Sequence, residues 1–343
     1  MEGCKFPNGK QDIWSTGMNW LELSERTLRG GRLAKAEALA ILQSTDDELL
    51  TLLDAAFRVR RHYFKRSVRL HVIRNARAGN CGEDCAYCSQ STAAKSATRP
   101  YPWQSREEII AGAREAHQMK AFRYCVVSSG RGPAEADVNR MCDTVRALKQ
   151  ELHIQVCVSL GLLNVEQARQ LKAAGVNRYN HNLETSERFF PNICSTHTYA
   201  DRLATVKAVK AAGLELCCGG LLGLGETLED RVVLALAIGE AKADSIPVNF
   251  LDPRAGTPLE QNPRLAPGDC LRALAMFRFA NPDKEIRVAG GREACLGPLQ
   301  ALALFPANSI FTNGYLTTAG QGHPADLAMI KAAGFTVEPS TQA

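Results

Sequence analysis

Short runs of β-branched and other apolar residues alternate with amphipathic helical patterns through most of the chain, at intervals of about 30 residues. Eight runs have the length and composition of strands: residues 68–74, 122–127, 154–160, 177–181, 214–222, 246–251, 285–289 and 309–311. Strands that alternate with helices form parallel sheets, because each helix returns the chain to the end at which the next strand begins. Eight such units predict an α/β fold of the TIM type, a (β/α)8 barrel with its functional groups at the C-terminal ends of the strands.

Capping boxes mark several of the helix starts between these strands. In a capping box, a polar side chain and a residue three positions later each bind the other's backbone N–H. The predicted boxes pair Ser105 with Glu108, Asn164 with Gln167, and Thr227 with Asp230. Pro133 favours a further helix start, because the fixed φ of proline suits the first turn. These signals place helices after the first, second, third and fifth predicted strands.

The chain divides into three predicted parts. Residues 1–66 form an N-terminal arm and helical cap, residues 67–320 form the barrel, and residues 321–343 form a C-terminal helix and tail. The first 30 residues are polar and lack helical periodicity, which predicts a loose arm. Helical patterns begin at Leu33, and Ser44 and Thr45 before acidic residues can cap a further helix. We expect this helical cap to dock on one end of the barrel.

Composition limits the class of protein. The chain has 343 residues, 45% of them hydrophobic, which is enough for a large core. Its 41 basic and 36 acidic residues give a formal charge of +5 without a long basic block, so no nucleic acid partner is expected. No apolar run reaches the roughly 18 residues needed to cross a bilayer, and residues 1–12 lack an apolar signal core. We therefore expect a soluble, cytoplasmic protein with no membrane partner.

Three cysteines follow the first predicted strand with the spacing C-x3-C-x2-C: Cys81, Cys85 and Cys88. Three thiolates on one short loop can hold three irons of a 4Fe-4S cluster, which leaves the fourth iron open to a substrate or cofactor. A zinc site needs four ligands, and no cysteine or histidine lies within the next 25 residues. Disulfides are not expected, because twelve cysteines without a secretory leader indicate a reducing compartment. Chance spacing is the remaining alternative.

Four further candidates lie within predicted strands: Cys125, Cys157, Cys217 and Arg287. Inward-pointing side chains of these strands would meet inside the barrel rather than on its rim. Three thiols and a guanidinium can close around a second cluster there. The alternative for each cysteine alone is simple packing, because free cysteines are among the most buried residues in proteins.

The loop with the cysteine triplet resembles the cluster loop of the radical S-adenosylmethionine (SAM) enzymes, including the aromatic Tyr87 before the third cysteine. From about Ala38 onwards the chain also resembles the biotin synthases, a family of such enzymes. The resemblance is most specific in residues 80–91 (NCGEDCAYCSQS), 179–186 (YNHNLETS), 219–227 (GGLLGLGET) and 307–311 (ANSIF). It implies a 4Fe-4S cluster whose open iron chelates SAM, and an electron from that cluster that cleaves the C5′–sulfur bond of SAM.

The resemblance to the biotin synthases implies a second cofactor, a 2Fe-2S cluster held by Cys125, Cys157, Cys217 and Arg287. It also implies the reaction, which converts dethiobiotin to biotin with sulfur taken from that second cluster. The implied partners are an electron donor such as flavodoxin or ferredoxin, and a second copy of the chain in a homodimer.

Contacts with SAM and substrate are implied for five residues: Tyr87, Asn182, Glu184, Arg202 and Asn249. By resemblance, Arg202 pairs with the carboxylate of SAM, and Asn249 binds the ring of the substrate. Asn182 and Glu184 face the SAM ribose and the substrate. Glu184 stands where the family pattern leads us to expect aspartate, a difference of one methylene.

Two cysteines depart from the family pattern. Cys218 stands where serine is expected, and Cys295 follows the Gly-Gly-Arg-Glu motif. We expect both to pack as spectators, although an extra thiol could alter the second cluster. Four histidines show no metal-binding spacing and are expected to be structural or exposed: His62, His71, His153 and His197.

Two other functions stay open at this point. A related radical SAM enzyme with a similar barrel, such as a maturase, would keep the cysteine triplet without needing the second set. A plain iron–sulfur electron carrier would prefer four cysteines per cluster and would not need a barrel of this size.

Overall fold

A closed ring of parallel strands forms the centre of the computed structural model, which describes residues 17–96, 98–316 and 320–338. The wall strands are β1 (Ser67–Arg77), β2 (Arg123–Ser128), β3 (Gln155–Ser159), β4 (Arg178–Asn180), β5 (Glu215–Cys217), β6 (Gly220–Leu222), β7 (Ser245–Phe250), β8 (Glu285–Val288) and β9 (Ser309–Phe311). Strands β5 and β6 share one position, because both pair with β7, and the pairing of β1 with β9 closes the ring. The predicted TIM-type (β/α)8 barrel is confirmed.

The fifth predicted strand was wrong as a continuous element, because the chain leaves the ladder between β5 and β6. Gly219 lies so close to β7 that a Cβ atom there would sit 1.9 Å from the carbonyl oxygen of Pro247. Only glycine permits this approach of two backbones. The Gly219 N–H donates to Asn182 Oδ1 at 3.1 Å. The break therefore ties β5 and β6 to the segment that follows β4.

Helices surround the wall and return the chain from one strand to the next. They are α4 (Arg106–Gln118), α5 (Glu135–Glu151), α6 (Val165–Ala173), α7 (Tyr199–Ala211), α8 (Leu228–Glu240) and α9 (Pro267–Ala280). Ser105, Asn164 and Thr227 each accept a backbone N–H at the N-terminus of α4, α6 and α8, so the three predicted capping boxes are confirmed. After β8 the chain forms α10 (Arg292–Leu296) and a 3₁₀ helix (Gly297–Leu304).

Within residues 17–66, which the structure describes, three helices precede the barrel: α1 (Trp20–Leu28), α2 (Lys35–Gln43) and α3 (Leu49–Phe64). The predicted loose arm was wrong for α1, which begins at the cap residue Asn19 and packs on α3. Its inward face is Trp20, Leu23 and Thr27, and polar members in that face hid the helical period from the sequence. Residues 1–16 of the predicted arm lie outside the described residues.

The start of α3 differs slightly from the predicted capping box. The backbone N–H and hydroxyl of Thr45 donate to Glu48 Oε2 at 3.0 and 3.1 Å, but residues 46–48 form a turn and the helix begins at Leu49. Both α2 and α3 pack on α9, so the helical cap is continuous with the helical layer of the barrel.

Most apolar side chains fill the layer between the wall and the helices. A second, smaller group lies inside the barrel and consists of Cys125, Cys157, Ala289 and Phe311. Helix α11 (His323–Ala332) leads to β10 (Thr336–Val337), which pairs with the start of β1. Within the described residues, no helix has the length and apolar character needed to cross a membrane.

Candidate active site

The cysteine triplet lies on the loop that follows β1. The loop is folded by backbone hydrogen bonds from Cys88 N–H to the carbonyl of Cys85 at 3.0 Å and from Cys81 N–H to the carbonyl of Gln90 at 3.3 Å. Cys85 is buried, whereas Cys81 and Cys88 are half-buried. Burial raises the pKa of the Cys85 and Cys88 thiols. The three thiols therefore share one compact loop at the C-terminal end of a barrel strand, as the spacing predicts.

Two acidic residues inside this loop fasten it to residues 193–197. Asp84 Oδ1 accepts the backbone N–H groups of Ser195 and Thr196 at 3.0 and 3.2 Å. The hydroxyl of Thr196 donates to Glu83 Oε2 at 2.7 Å. Burial raises the pKa of Asp84, but the hydrogen bonds that it accepts outweigh this effect and hold the pKa below its ordinary value. An ionised Asp84 therefore holds the triplet loop against residues 195 and 196.

Cys194 and His197 also lie beside the triplet, and sequence reasoning missed both. The sulfur of Cys194 is 3.9 Å from that of Cys85 and 3.2 Å from His197 Nδ1. The donor atoms of these three residues lie within 4.8 Å of one another. The i, i+3 spacing of Cys194 and His197 is visible in the sequence, but their approach to Cys85 depends on the fold.

A cavity of about 280 Å³ joins the triplet loop to the interior of the barrel. Predicted site residues that line it are Tyr87, Cys88, Cys125, Cys157, Asn182, Glu184, Cys217, Asn249 and Arg287. Cys81, Cys85 and Arg202 do not line it. The structure therefore brings the end of the triplet loop and all four residues of the second set to one cavity.

Glu184 is the buried carboxylate of this cavity. It has a left-handed backbone, with φ of 69°, which is strained for a residue with a side chain. The Tyr87 hydroxyl donates to its carboxylate, and Asn182 Nδ2 donates to its Oε2 at 3.4 Å. Burial raises the pKa of Glu184, and the Arg202 guanidinium opposes that shift. The strained backbone holds a desolvated carboxyl group at the cavity wall.

Arg202 lies behind this wall, on the first turns of α7. Its Nη1 donates to the backbone carbonyl of Asn182 at 2.9 Å and lies 3.6 Å from Glu184 Oε1. Its Nε donates to His197 Nε2 at 3.1 Å. Arg202 therefore supports two cavity residues and connects them to the segment that holds the triplet loop.

Asn249 presents its amide at the far side of the cavity. Its Oδ1 accepts the N–H of Gly290 at 2.8 Å, and its Nδ2 donates to the carbonyl of Gly220 at 3.0 Å. Contacts to β6 and to the turn after β8 fix the orientation of the amide. An amide has two donor and two acceptor positions, so one of each remains beyond these two contacts for a polar ligand.

The second set comes together inside the barrel from four strands. Cys125 on β2 lies opposite Cys157 on β3, and Arg287 Nη1 is 3.6 Å from the sulfur of Cys217. All four side chains are buried. A hydrogen bond with Cys157 lowers the pKa of the Cys125 thiol. Three soft thiol ligands in a buried site are the donor type that iron–sulfur clusters need, and the buried Arg287 Nε has no partner among the described residues.

Cys218 and Cys295 stay outside this set. Cys218 is fully buried in the main apolar core between wall and helices, on the opposite side of the chain from Cys217. Cys295 lies on α10, where its thiol faces the carbonyl of Leu251 at 3.5 Å and hydrogen-bonds with Cys270. Both positions fit the expected packing role.

His71, which was expected to be structural or exposed, is buried and touches the second set. It is fully buried, and its Nε2 is 3.3 Å from Arg287 Nη2 and 3.0 Å from Glu285 Oε1. Burial and the neighbouring Arg287 lower the pKa of His71 to about 3, so the ring is neutral. On β1, His71 is two residues before Ile73, which lines the cavity, so both side chains point inward. This alternation is visible in the sequence, but sequence reasoning did not use it.

Comparison with known proteins decides the family. A profile of the radical SAM superfamily matches residues 75–238, and a profile described as the Biotin and Thiamin Synthesis associated domain matches residues 247–336. A biotin synthase of Salinibacter ruber (strain DSM 13855 / M31) is 52% identical over 316 residues, which cover 92% of this chain and 88% of that protein. The chain belongs to the biotin synthases. A biotin synthase of Lysinibacillus sphaericus (strain C3-41) is 50% identical over 321 residues, covering 94% of this chain and 97% of the relative.

Solved structures extend the comparison to the fold. The crystal structure of methylornithine synthase superposes with a TM-score of 0.81 over 93% of this chain and 98% of that chain, at 19% identity. A likeness at this identity shows the barrel alone. Membership of the biotin synthases, within the radical SAM superfamily, implies a 4Fe-4S cluster and SAM as cofactors.

Proposed function

We propose that this chain inserts sulfur into dethiobiotin to form biotin, with SAM and a 4Fe-4S cluster at the triplet loop and a 2Fe-2S cluster inside the barrel. The cavity of about 280 Å³ carries this proposal, because Tyr87 and Cys88 line it at one side and the second set lines it at the other. A substrate in this space has a radical source on one side and a sulfur source on the other. Membership of the biotin synthases supports the same reaction.

Cys81, Cys85 and Cys88 are the proposed ligands of the 4Fe-4S cluster. Their loop is short and is held by the ionised Asp84, which supports a fixed arrangement of three thiolates. Cys81 is half-buried and does not line the cavity, so its side of the loop is the proposed approach for an electron donor. Flavodoxin or ferredoxin is the proposed donor, and a homodimer is the proposed assembly; both rest on resemblance to the family.

The proposed SAM contacts follow the wall that joins the two sets. Tyr87, Asn182 and Glu184 line the cavity next to Cys88, where polar groups of SAM would lie. Arg202 is proposed to bind the carboxylate of SAM at the edge of this wall, because guanidinium and carboxylate groups form charge-assisted hydrogen bonds. Arg202 does not line the cavity itself, but it contacts Asn182 and Glu184, which do.

The proposed substrate contact is Asn249, on the opposite wall. Its amide is oriented by Gly290 and Gly220, and a ureido ring offers complementary donors and acceptors. The apolar side chains of Ile73, Val127 and Phe311 complete this part of the cavity and exclude water from the reacting carbon atoms.

Cys125, Cys157, Cys217 and Arg287 are the proposed ligands of the 2Fe-2S cluster. When bound, the two clusters and SAM supply a carbon-centred radical and a sulfur atom, and the protein supplies binding, orientation and exclusion of water.

The predicted division into residues 1–66, 67–320 and 321–343 remains a proposal. Proteolysis at the two boundaries would test it.

An anaerobic iron and sulfide count, combined with visible and Mössbauer spectra and a biotin assay, tests the proposed function. We expect two cluster types per chain and biotin formation from dethiobiotin with SAM and a reductant. A chain that cleaves SAM but holds only one cluster type and forms no biotin would contradict the proposal and favour another radical SAM activity.

A further inference from the structure

Glu285 is a buried carboxylate beneath the second set, two residues before Arg287 on β8. Its side chain is 2% exposed. Its Oε1 accepts the hydroxyl groups of Ser245 at 2.9 Å and Ser309 at 3.2 Å, and lies 3.0 Å from His71 Nε2. Alternation along the strand puts Glu285 and Arg287 on the same inward face. Four strands of the wall therefore converge on this one carboxylate.

One end of the Arg287 guanidinium lies among the polar groups around Glu285, and the other end faces the thiol of Cys217. Its Nη2 donates to the Glu285 carboxylate and to Ser245 Oγ at 2.8 Å, and lies 3.3 Å from His71 Nε2. Its Nη1 faces Cys217 at 3.6 Å. Because a guanidinium is a rigid plane, contacts that fix one terminal nitrogen also fix the position of the other.

We propose that Glu285 is a positioning residue for the second cluster, which selects Nη1 as the guanidinium nitrogen that meets the metal. The inference rests on the proposed function, because it requires the 2Fe-2S cluster at the second set. Ser245 completes the arrangement, since its hydroxyl accepts from Arg287 Nη2 and donates to Glu285. Partners that orient a metal ligand in this way commonly matter as much as the ligand itself.

Charge balance gives a second reason for a carboxylate at this position. Glu285 Oε2 lies 3.2 Å from Arg178 Nη1 and 3.5 Å from Arg69 Nη1. Without an anion, the buried Arg178 and Arg287 would repel each other, and the guanidinium would turn away from its present direction. Glu285 therefore joins two cations that would otherwise compete for the same space.

The alternative is that Glu285 is only one more ion pair of the barrel wall, and Glu215, a wall carboxylate that is 46% exposed, provides a control. Glu215 lies on the neighbouring part of the wall and pairs with Arg178 Nε at 2.8 Å and Arg123 Nη2 at 3.0 Å. It shares a cation with Glu285, but its contacts are with Arg178 and Arg123 rather than Arg287. A role in wall stability alone predicts that Glu285→Gln lowers the free energy of unfolding but keeps the wild-type 2Fe-2S spectrum, whereas positioning predicts a changed spectrum.

The test compares Glu285→Gln with Glu215→Gln in the full chain, purified anaerobically with both clusters. The readouts are the Mössbauer and visible spectra of the 2Fe-2S cluster and its rate of loss to a chelator, with the 4Fe-4S spectrum as an internal reference. We expect Glu285→Gln to change the 2Fe-2S spectrum and to lose that cluster about tenfold faster or more, as is usual for supports of metal ligands. Glu215→Gln should retain the wild-type spectrum and rate.

A wild-type spectrum and rate in Glu285→Gln would overturn the inference, and so would equal changes in both glutamate variants. If Glu285→Gln does not fold, Ser245→Ala serves in its place, because it removes a hydroxyl that contacts both Glu285 and Arg287. An unchanged 2Fe-2S spectrum in Ser245→Ala would then overturn the inference. A wild-type chain with no 2Fe-2S cluster overturns the proposed function itself, which is a different result from a cluster that ignores Glu285.

Discussion

The three thiols after β1 belong to a loop, so removing one of them leaves the barrel wall intact. We expect Cys81→Ala, Cys85→Ala and Cys88→Ala to abolish reductive cleavage of SAM, because each thiolate is a proposed ligand of the first cluster. Chromatographic measurement of 5′-deoxyadenosine checks this, with circular dichroism as the test of folding. Cys142→Ala, a buried cysteine on α5, is the control and should keep the wild-type rate. Wild-type deoxyadenosine formation in any triplet variant would rule out the assignment.

The neighbours Cys217 and Cys218 allow a paired test of the second set. Cys217 lines the cavity, whereas Cys218 lies in the core on the other side of the chain. We expect Cys217→Ser to lose the 2Fe-2S cluster and biotin formation, and Cys218→Ser to be nearly silent. Iron counts and visible spectra measure the loss of the cluster, and a biotin assay measures biotin formation, in both variants. The reverse result would mean that the register of β5 is wrong.

The same set separates thiol ligands from the guanidinium. Cys125→Ala and Cys157→Ala should behave like Cys217→Ser, because thiolates supply most of the affinity for iron. Arg287→Ala should keep a cluster and part of the activity, since a guanidinium stays protonated at neutral pH and is a poor metal ligand. Burial lowers the pKa of Arg287, but Glu285 outweighs that effect and holds the pKa above its ordinary value.

Arg202 tests the proposed contact with SAM. Arg202→Met removes the guanidinium beside Asn182 and Glu184 and keeps most of the side-chain volume. We expect binding of SAM to weaken by about tenfold or more, the equivalent of a charge-assisted hydrogen bond of about 1.5–3 kcal/mol, and binding of dethiobiotin to change less. Calorimetric titration with each ligand measures both. Equal losses for the two ligands would contradict the role.

At this scale, residues that follow a strand pattern are easier to predict than residues that depend on barrel closure. The family pattern, which has serine at the position of Cys218, singled out Cys217, and alternation along the strand agrees with the burial of Cys218 in the core. Cys194 and Glu285 gave no comparable signal, because the partners that give them meaning come from distant strands and loops. Their contacts exist only once the wall has closed, so they follow from the fold and not from local sequence.

At the scale of elements, Asp230 connects the start of α8 to the segment after β4 that carries Asn182 and Glu184. It completes the capping box with Thr227 and accepts from Ser186 Oγ at 2.6 Å and Arg188 Nε at 3.1 Å. Asp230→Asn should lower the free energy of unfolding by about 1–3 kcal/mol, the cost of weakening buried hydrogen bonds to a charged group. Chemical denaturation at pH 7 measures the change.

The same carboxylate gives a dependence on pH. Burial raises the pKa of Asp230, but its hydrogen bonds outweigh this and hold the net pKa below the ordinary value. A lowered folded pKa stabilises the fold above the unfolded pKa, and this stability is lost as the pH falls through the folded value. The difference between wild type and Asp230→Asn should therefore be constant down to about pH 5 and shrink below about pH 4. Asp201 holds the matching position of α7 but has no hydrogen bond from an arginine among the described residues. Asp201→Asn should therefore lower the free energy of unfolding by less than Asp230→Asn does.

Helix starts with capping boxes and strands with apolar runs were predictable, because both signals are local. The break between β5 and β6 was not, since it depends on how closely Gly219 approaches Pro247 on the adjacent strand. Helix α1 was missed because its buried face mixes Trp20 and Leu23 with polar residues. Packing on α3, rather than local propensity, stabilises that helix.

At the scale of the whole molecule, the count and period of the predicted strands determined the barrel, and the barrel in turn placed distant residues in one cavity. The seam where β1 meets β9 joins residues far apart in the sequence, and no local pattern encodes how it is held. The buried Arg60 on α3 holds it: its Nε donates to the carbonyl of Ala307 at 3.1 Å, and its Nη2 donates to the carbonyl of Ser67 at 2.6 Å. One guanidinium thus binds the start of β1 and a residue two positions before β9.

Arg60 therefore couples the helical cap to closure of the barrel, at the end opposite the cavity. Arg60→Met should lower the free energy of unfolding by about 3 kcal/mol, because it leaves the buried carbonyl of Ala307 and two partly buried carbonyl groups without a donor. Arg58→Met is the control on the same helix: Arg58 is half-exposed and pairs only with Asp54 among the described residues, so its loss should cost within about 0.5 kcal/mol. Folded Arg60→Met should keep the wild-type 4Fe-4S spectrum, since the cysteine triplet follows the opposite end of β1. Similar denaturation midpoints for the two variants would show that the seam closes without Arg60, and altered spectra would show that the two ends of the barrel are coupled.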